Sequence, residues 1–326
     1  MKNTKNNYYF YFAIPIDRID QRIDNFLHIY LSTVPKSAIY RLLRKGIIKV
    51  NGYSIKPNYK FKNNDRIYIP QKIYSQHIND KDKIIFHSTY LNTEKIQFLN
   101  KRILYEDSYL LIIDKPTGIA VHGGSGLSYG IIEGLRILRN DVSLELVHRL
   151  DKDTSGILII AKKRSALRFL HEQFRINNIL KYYLALVKGT WNIKEKSITT
   201  YLHKKISGIS RLMTNDNRIG KKSETCFQIK EKFRIATLVN IYPITGRTHQ
   251  IRVHSQYLGH PIALDKLYGD NDFNNLMKKK CGLNRLFLHA SELICIHPNT
   301  KKTLYIKAPI DNHLNKCLLY LRKNIQ

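Results

Sequence analysis

His148-Arg149-Leu150-Asp151-Lys152-Asp153-Thr154-Ser155-Gly156 is the stretch on which the reading of this chain turns. Apolar residues precede it (Leu144, Leu146, Val147) and follow it (Ile157 to Ala161). Apolar runs on either side of a polar, glycine-ended segment predict strand, loop, strand. A carboxylate and a guanidinium are thus held at a strand end by buried structure on both sides, and chemistry belongs on such a loop more than in the core that carries it. Asp151 is the candidate. Asp153 reads as a turn former, because Thr154-Ser155-Gly156 follows it as a turn. Two carboxylates at i and i+2 also suggest a metal site or a glycosidase pair. Against the first, metal sites want more oxygen ligands, and Arg149, Lys152, Lys162 and Lys163 crowd the region. Against the second, a glycosidase needs its carboxylates on opposite sides of the bond.

Around this loop the chain is long enough for one large and one small domain, at 326 residues. It holds 55 Lys+Arg against 25 Asp+Glu, a formal charge of +30 that points to a polyanion, with nucleic acid first. The richness in Lys, Asn, Ile and Tyr follows A/T-rich codons, so where the charges sit says more than their sum. Cys226, Cys281, Cys295 and Cys317 form no C-x-x-C pair, which argues against a zinc knuckle or a disulfide framework and fits a reducing compartment, the cytoplasm. Tyr8 to Ile14 is apolar and follows lysines, but it is short, Tyr-rich and soon followed by Pro15 and Asp17. It predicts an N-terminal strand rather than a signal peptide. No run is long and apolar enough to span a membrane, and no membrane partner is expected.

Residues 1–19 are expected to form an N-terminal extension. Residues 20–75 read as a small basic module with eleven Lys/Arg and three Asp/Glu. A helix is predicted over Ile23 to Leu31, and a second from Lys36 to Lys45, stopped by Gly46. Ile39, Leu42 and Leu43 share one face of the second helix, and Arg41, Arg44 and Lys45 the opposite one. That basic face lacks the acidic partners that i,i+4 pairing would supply. Ile48 to Val50, the turn Asn51-Gly52 and the next stretch predict a β-hairpin, and Arg66 to Ile69 a further strand. Two short helices with a basic face before a hairpin resemble the S4 RNA-binding module, which implies Lys36, Arg41, Arg44 and Lys45 as phosphate contacts.

Residues 76–100 lack periodicity and read as a linker. Over residues 101–326, strands are predicted at Leu110 to Asp114, Tyr182 to Lys188, Ala236 to Pro243, Phe287 to His289, Glu292 to His297 and Thr303 to Lys307, with a helix over Arg164 to Asn177. The pattern is α+β with a mostly antiparallel sheet. Two further segments can carry chemistry. Thr245-Gly-Arg247-Thr-His249-Gln-Ile251-Arg252-Val-His254 follows a strand and opens a helix, with Ile251, Ser255 and Leu258 facing inward. Its arginines suit a phosphate or a buried carboxylate. Its histidines are five apart, off the i,i+4 spacing of helical zinc ligands. In Lys181-Tyr182-Tyr183 the tyrosines alternate across a strand, so one can line a pocket. Gly123-Gly124-Ser125-Gly126 lacks the ending of a phosphate loop, and no Gly-x-Ser-x-Gly elbow supports Ser155 as a hydrolase nucleophile. A carboxylate, a guanidinium, an aromatic platform and a basic module, with no motif for metal, dinucleotide or nucleotide, suit a reaction needing no redox cofactor or energy, such as an isomerisation.

With these residues in view, the chain resembles the RluA family of pseudouridine synthases. The loop from His148 to Gly156 matches its signature, Ile103-Leu-Tyr-Glu-Asp107 to Asp114-Lys-Pro-Thr-Gly118 its first motif, and Lys181-Tyr-Tyr183 and Thr245 to Arg252 its later ones. The S4-like module together with Val121 to Leu127 narrows the resemblance to members acting on large-subunit ribosomal RNA. Ala263-Leu264-Asp265 departs from a Gly-Asp pair in many relatives, and no catalytic role is expected there. The resemblance implies a mixed central sheet with a cleft and no cofactor. It implies Asp151 as nucleophile, Arg252 as its ion-pair partner, Tyr183 stacking on the uracil and taking the C5 proton, and Arg149 entering the RNA where the uridine leaves. Arg247 is expected to bind RNA. The implied partner is 23S ribosomal RNA or its large-subunit precursor, met by a monomer with no obligate protein partner. Two alternatives remain open at this point: a paralogue acting on other uridines of ribosomal or transfer RNA, and a non-catalytic assembly factor on a decayed scaffold.

Overall fold

Asn51 and Gly52 both take positive φ, 51° and 83°, which is the geometry of a two-residue type I′ turn. They join strand β2 (Lys49–Val50) to β3 (Tyr53–Ser54) with Val50 opposite Tyr53. In the computed structural model this hairpin belongs to a four-stranded sheet ordered β1 (Tyr9–Ala13), β4 (Arg66–Pro70), β2, β3. The model describes residues 9–14, 18–31, 34–71, 73, 94–123, 130–139, 141, 143–192, 195–207, 210–215 and 220–324. Contacts divide the chain into Met1–Phe98 with Arg136–Val142, and Leu99–Leu135 with Ser143–Gln326.

In the first unit, helices α1 (Ile23–Tyr30) and α2 (Lys36–Arg44) cover the sheet, burying Ile23, Leu27, Ile39 and Leu43 against Val50, Phe61, Ile67 and Ile69. Gly46 ends α2 at φ 63°. Its N–H reaches the Leu43 carbonyl and that of Ile47 the Leu42 carbonyl, both at 3.0 Å, the paired bonds of a Schellman cap. Lys36, Arg41, Arg44 and Lys45 are all exposed. The stretch expected as an N-terminal extension supplies an edge strand, since β1 runs antiparallel to β4 with Tyr11 opposite Tyr68. Of the expected linker, residues 76–93 lie outside the described residues, and its end forms a short helix α3 (Glu94–Gln97).

After Leu99 the described elements run β5 (Ile103–Glu106), β6 (Leu110–Lys115), α4 (Ile131–Arg139), β7 (Glu145–Leu146), β8 (Ser155–Ala161), α5 (Arg164–Arg175), β9 (Leu180–Lys188), β10 (Glu195–Ser207), β11 (Ser210–Asn215), β12 (Lys221–Lys232), β13 (Ala236–Pro243), α6 (Gln250–Tyr257), α7 (Asn271–Cys281), β14 (Leu288–Ile296), β15 (Thr303–Lys307) and α8 (Asn312–Lys323). The large sheet is ordered β11-β10-β12-β13-β9-β14-β8-β6-β5, with β15 also on β14 and β7 also on β8. Among the described pairings only β14 with β8 is parallel, so the sheet is mixed and mostly antiparallel. The pair of strands expected around Ser291 is a single strand, β14. A bulge between Ala290 and Glu292 absorbs the polar interruption, and the Ser291 hydroxyl donates to the Tyr182 carbonyl at 3.1 Å.

Alternation along β9 decides which side chains reach the functional face. Leu184 and Leu186 pack with Phe273 and Met277 of α7 and Leu314 and Leu318 of α8. Ala185 and Val187 pack on the other face with Ile251 of α6, and Tyr183 joins them. Gly156 lies in β8 rather than in the expected turn. At φ 109° it pairs with Ala290, and a Cβ there would lie 2.2 Å from the Ala290 carbonyl oxygen. Only a glycine lets the parallel strands approach directly after the Asp151 loop.

Candidate active site

The loop before β8, the start of β9 and the turn into α6 line one cleft of about 390 Å³. Asp151, Arg149, Tyr183, Lys181, Arg247, His249 and Arg252 all border it. Segments more than a hundred residues apart in sequence are therefore brought together, in a volume within the usual range for a ligand pocket.

The Asp151 loop is tied down from the first motif. The Asp151 carbonyl accepts the Thr154 N–H at 3.2 Å, closing a turn over Lys152 and Asp153. The Lys152 carbonyl takes the Gly118 N–H at 2.9 Å, and the Thr117 hydroxyl donates to the Asp153 carbonyl at 2.8 Å. Lys115 is wholly buried, and its ammonium donates to the carbonyls of Pro116, Ile119 and Lys152 at 2.8, 2.8 and 3.1 Å. Burial pulls its pKa down to about 7. Three acceptors for three N–H bonds favour the ammonium nonetheless, since a neutral amine has only two protons to offer. Of the further stretch of the resemblance, Val121 to Leu127, Gly124 to Leu127 lie outside the described residues.

The turn into α6 is built on Gln250. Its side-chain carbonyl accepts from the Thr245 hydroxyl at 2.7 Å and the Arg247 N–H at 3.0 Å, and its amide donates to the Glu224 carbonyl at 2.9 Å and the Thr225 hydroxyl at 2.8 Å. Its N-cap, His249, sits in the left-handed region at φ 54°. Residues Gln250 to Ser255 are all buried, so this short helix lies inside the unit, with Ile251 and Ser255 inward as expected. His254 is fully buried between the hydroxyls of Thr200 and Thr225, each at 2.9 Å, and burial lowers its pKa to about 4.

Arg252 makes the expected ion pair with Asp151 only at long range, and its short bonds go to a second carboxylate. Its Nε and Nη2 donate to the two oxygens of Asp265 at 2.7 and 2.6 Å, with both side chains almost wholly buried. Its Nη1 stands 3.9 Å from Asp151 Oδ2, beyond hydrogen-bond distance. Asp265 also accepts the N–H groups of Leu267 and Tyr268, at 2.9 and 3.0 Å. Burial opposes the charge on both partners, but each holds the other ionised: the arginine pKa stays raised and that of Asp265 lowered. The Asp265 segment, set aside as a local departure, thus supplies the main counterion of the site arginine.

His249, weighed in the sequence only as a metal ligand, has its Nε2 at 3.8 Å from Asp151 Oδ2, and its Nδ1 at 2.9 Å from the Tyr268 hydroxyl. Burial lowers its pKa, against the pull of Asp151. Tyr183 lies on the wall of the cleft. Burial first, then the Asp151 charge, pushes its pKa up. The neutral phenol is thereby favoured, which counts against the expected transfer of the C5 proton to Tyr183. Tyr182, on the other face of β9, packs edge-on against Tyr242 at 4.7 Å. Arg149 and Arg247 are exposed at the rim. Ser155 bonds His289 at 2.8 Å and Arg285 at 2.7 Å, whereas His148 accepts the Ile159 N–H at 3.1 Å. Among the described residues no group of three His, Cys, Asp or Glu side chains could hold a metal ion, and no helix is long and apolar enough to cross a membrane.

A mixed sheet carrying a loop carboxylate, a shared buried arginine and a strand tyrosine in one cleft defines a class, and comparison with known proteins agrees. The chain belongs to the RNA pseudouridylate synthase family, whose model matches residues 109–257, and it carries an S4 domain matched over residues 21–67. It is 50% identical over 312 residues to the ribosomal large subunit pseudouridine synthase C of Escherichia coli strain K12, covering 95% of this chain and 96% of that one. The protein of that name from Pasteurella multocida strain Pm70 is 52% identical over 312 residues, 95% of this chain and 93% of its own. Among solved structures, human RNA pseudouridylate synthase domain containing 4 aligns with a TM-score of 0.59 and 25% identity over 72% of this chain and 98% of that one. The chain is thus an RNA pseudouridine synthase.

Proposed function

We propose that this enzyme isomerises specific uridines of 23S ribosomal RNA, in the mature large subunit or its precursor, and that Asp151 is its nucleophile. The observation that carries the reading is the Asp151 carboxylate in the cleft, with Arg252 and His249 each within 4 Å of the same oxygen and Tyr183 on the wall. Near-complete alignment with relatives named for the large ribosomal subunit supports the substrate class.

The chemistry follows from the cleft. A uridine inside a helix must leave its stack to reach Asp151, which costs on the order of a few kcal/mol. Arg149, exposed at the rim, fills the vacated space and recovers part of that. Tyr183 presents its ring to the uracil, and Arg252 keeps positive charge beside the ionised carboxylate. The glycosidic C–N bond breaks, the base turns within the cleft, the C–C bond forms through C5, and the proton lost from C5 is balanced by one gained at N1, with no external reactant. Arg247 holds backbone phosphate at the rim. Lys36, Arg41, Arg44 and Lys45 of the S4 domain bind phosphates by charge and shape rather than by sequence. The protein acts in the cytoplasm as a monomer, with the small domain over residues 20–75 gripping RNA and residues 101–326 carrying out catalysis.

The test is pseudouridine mapping by carbodiimide-dependent primer extension on ribosomal and transfer RNA, from cells with this protein, without it, and with Asp151→Asn. The expected result is loss of stops in 23S RNA alone, in both the deletion and the variant. Stops lost from transfer RNA would overturn the substrate, and a fully active Asp151→Asn would overturn the nucleophile.

A further inference from the structure

We propose that His249 is a positioning residue for the Asp151 carboxylate, and that Tyr268 turns a ring N–H rather than a lone pair toward that carboxylate by fixing which ring nitrogen carries the proton. The inference rests on the reading of Asp151 as nucleophile and adds two residues to it.

The tautomer follows from counting protons. The Tyr268 oxygen accepts the Met213 backbone N–H at 2.9 Å and lies 2.9 Å from His249 Nδ1. A hydroxyl has one proton to give, and of the two described contacts of the Tyr268 oxygen the Met213 N–H can only donate, so Nδ1 is the acceptor for that proton. Nδ1 then accepts, and the neutral ring carries its own proton on Nε2. Nε2 is the atom that stands 3.8 Å from Asp151 Oδ2. The other tautomer would set an imidazole lone pair against a carboxylate oxygen. Tyr268 is 4% exposed, so water does not readily replace it.

The surroundings hold the ring in this state. The charged groups acting on it are Asp151 and Asp265, which favour its protonation, and Arg252 and Arg149, which oppose it; burial outweighs them and keeps it neutral. Its backbone is in the left-handed region at φ 54°, where a residue with a Cβ stays only if its contacts compel it. Tyr268 touches both groups that face the nucleophile: its ring lies edge-on to His249 with centroids 5.5 Å apart, and the Arg252 guanidinium stands 5.1 Å from its centroid. One aromatic therefore backs two donors aimed at one carboxylate oxygen.

Both donors face Oδ2, at 3.8 and 3.9 Å. Oδ1 is left as the attacking atom. Its lone pair forms the bond to carbon, sending the C1′–N1 pair onto the departing uracil when the ribose is attacked, or the C5=C6 pair into the ring when the base is attacked, and Oδ2 becomes the carbonyl oxygen of the resulting ester. When that bond breaks the charge returns and Oδ2 again faces the two donors. His249 neither gains nor loses a proton in either step.

The test uses the full-length protein and a 23S RNA fragment labelled with tritium at uridine C5, under single turnover with enzyme in excess. Tyr268→Phe and His249→Phe are expected to slow tritium release at least roughly tenfold while RNA affinity changes less than about twofold, since groups that hold the attacking carboxylate in orientation act on the chemical step. His249→Gln, which keeps an N–H near Nε2, recovers part of the rate. Nitrogen-15 spectra of the histidine rings provide the readout that a packing role would not move. His249 in the natural protein and in Asp151→Asn shows protonated Nε2 and bare Nδ1, and Tyr268→Phe shifts it to a mixture. Unchanged tautomer in Tyr268→Phe, or wild-type turnover in both phenylalanine variants, overturns the proposal. If those variants keep full rate while Asp151→Asn is inactive, this inference fails alone; an active Asp151→Asn removes the reading beneath it.

Discussion

Replacing Asp265 by Asn tests whether a second carboxylate holds the site arginine. The change keeps the shape and removes one charge from a pair whose side chains are 5% and 0% exposed. Asp265 Oδ1 accepts Arg252 Nη2 and the N–H groups of Leu267 and Tyr268, so the asparagine oxygen takes that position. Its amide nitrogen then faces Arg252 Nε, donor against donor at a distance that is now 2.7 Å. Breaking a buried pair from one side costs about 3–5 kcal/mol, and Coulomb attraction at 4 Å with an effective dielectric of 20 gives about 4 kcal/mol. The single tryptophan, Trp191, is buried in the same unit between Phe227 and His260, so its fluorescence in urea reports the unfolding of that unit. The unfolding free energy should drop by about 3–5 kcal/mol, with melting lower by roughly 6–20 °C. Arg252 is left with Asp151 as its remaining carboxylate, closes the gap of 3.9 Å and ties up the nucleophile. Single-turnover isomerisation at 25 °C, where the variant is folded, should therefore fall at least roughly tenfold without loss of RNA affinity. A variant within about 1 kcal/mol of wild type and isomerising at the wild-type rate would refute the reasoning.

Gly156→Ala should leave little folded protein, because its Cβ would sit 2.2 Å from the Ala290 oxygen at a φ of 109°; soluble yield and Trp191 fluorescence check this, and a stable active variant would contradict the described strand pairing. His254 should make the protein sensitive to acid. Its folded pKa of about 4 lies below the ordinary 6.5, so its contribution is complete above pH 6.5 and is lost as pH falls toward 4; the difference of about 2.5 units corresponds to roughly 3 kcal/mol. Urea midpoints measured across that range should decline, and His254→Gln should flatten the decline; equal slopes in both proteins would count against it. Replacing Lys36, Arg41, Arg44 and Lys45 together by Ala should weaken RNA binding and lower the slope of log affinity against log salt by up to about 3, measured by filter binding, with an unchanged slope removing these residues from the interface.

The parts of the fold that could be read from the sequence are those where local chemistry and apolar period agree. Asn51-Gly52 admits few conformations, and it makes the expected turn. Ala236–Pro243, apolar toward both faces, and Thr303–Lys307, which alternates, are strands with the expected limits. β10 and β12 were not legible, because hydroxyls interrupt the apolar residues (Ile198, Leu202 and Phe227) on the face they bury. Thr200, Ser223 and Thr225 are among its buried residues, and two of them bond His254 and Gln250 of the buried α6. A strand whose inner face mixes hydroxyls with apolar residues shows only a broken apolar period until the partner helix is known. α7 carried stronger signals, an Asp270 cap on the Phe273 N–H and Gly282 at φ 63°, but a run of lysines and asparagines masked its apolar face.

The site shows the same division more sharply. Its candidate residues stand in motifs that sequence can find, and the structure brings Asp151, Arg149, Tyr183, Arg247 and Arg252 to one cleft. The division of charge among them could not be found that way, since it depends on which carboxylate wins the arginine. Asp265 wins it, with two short bonds against a gap of 3.9 Å to Asp151. A guanidinium bound in bidentate fashion to Asp151 would satisfy that carboxylate and weaken it as a nucleophile. An isolated buried guanidinium would be too costly to keep. Sharing the cation between an inner carboxylate that binds it and an outer one that only feels its field resolves both demands. Asp265, where no catalytic role was expected, takes the arginine's short bonds, which on the proposed reading leaves Asp151 free to react.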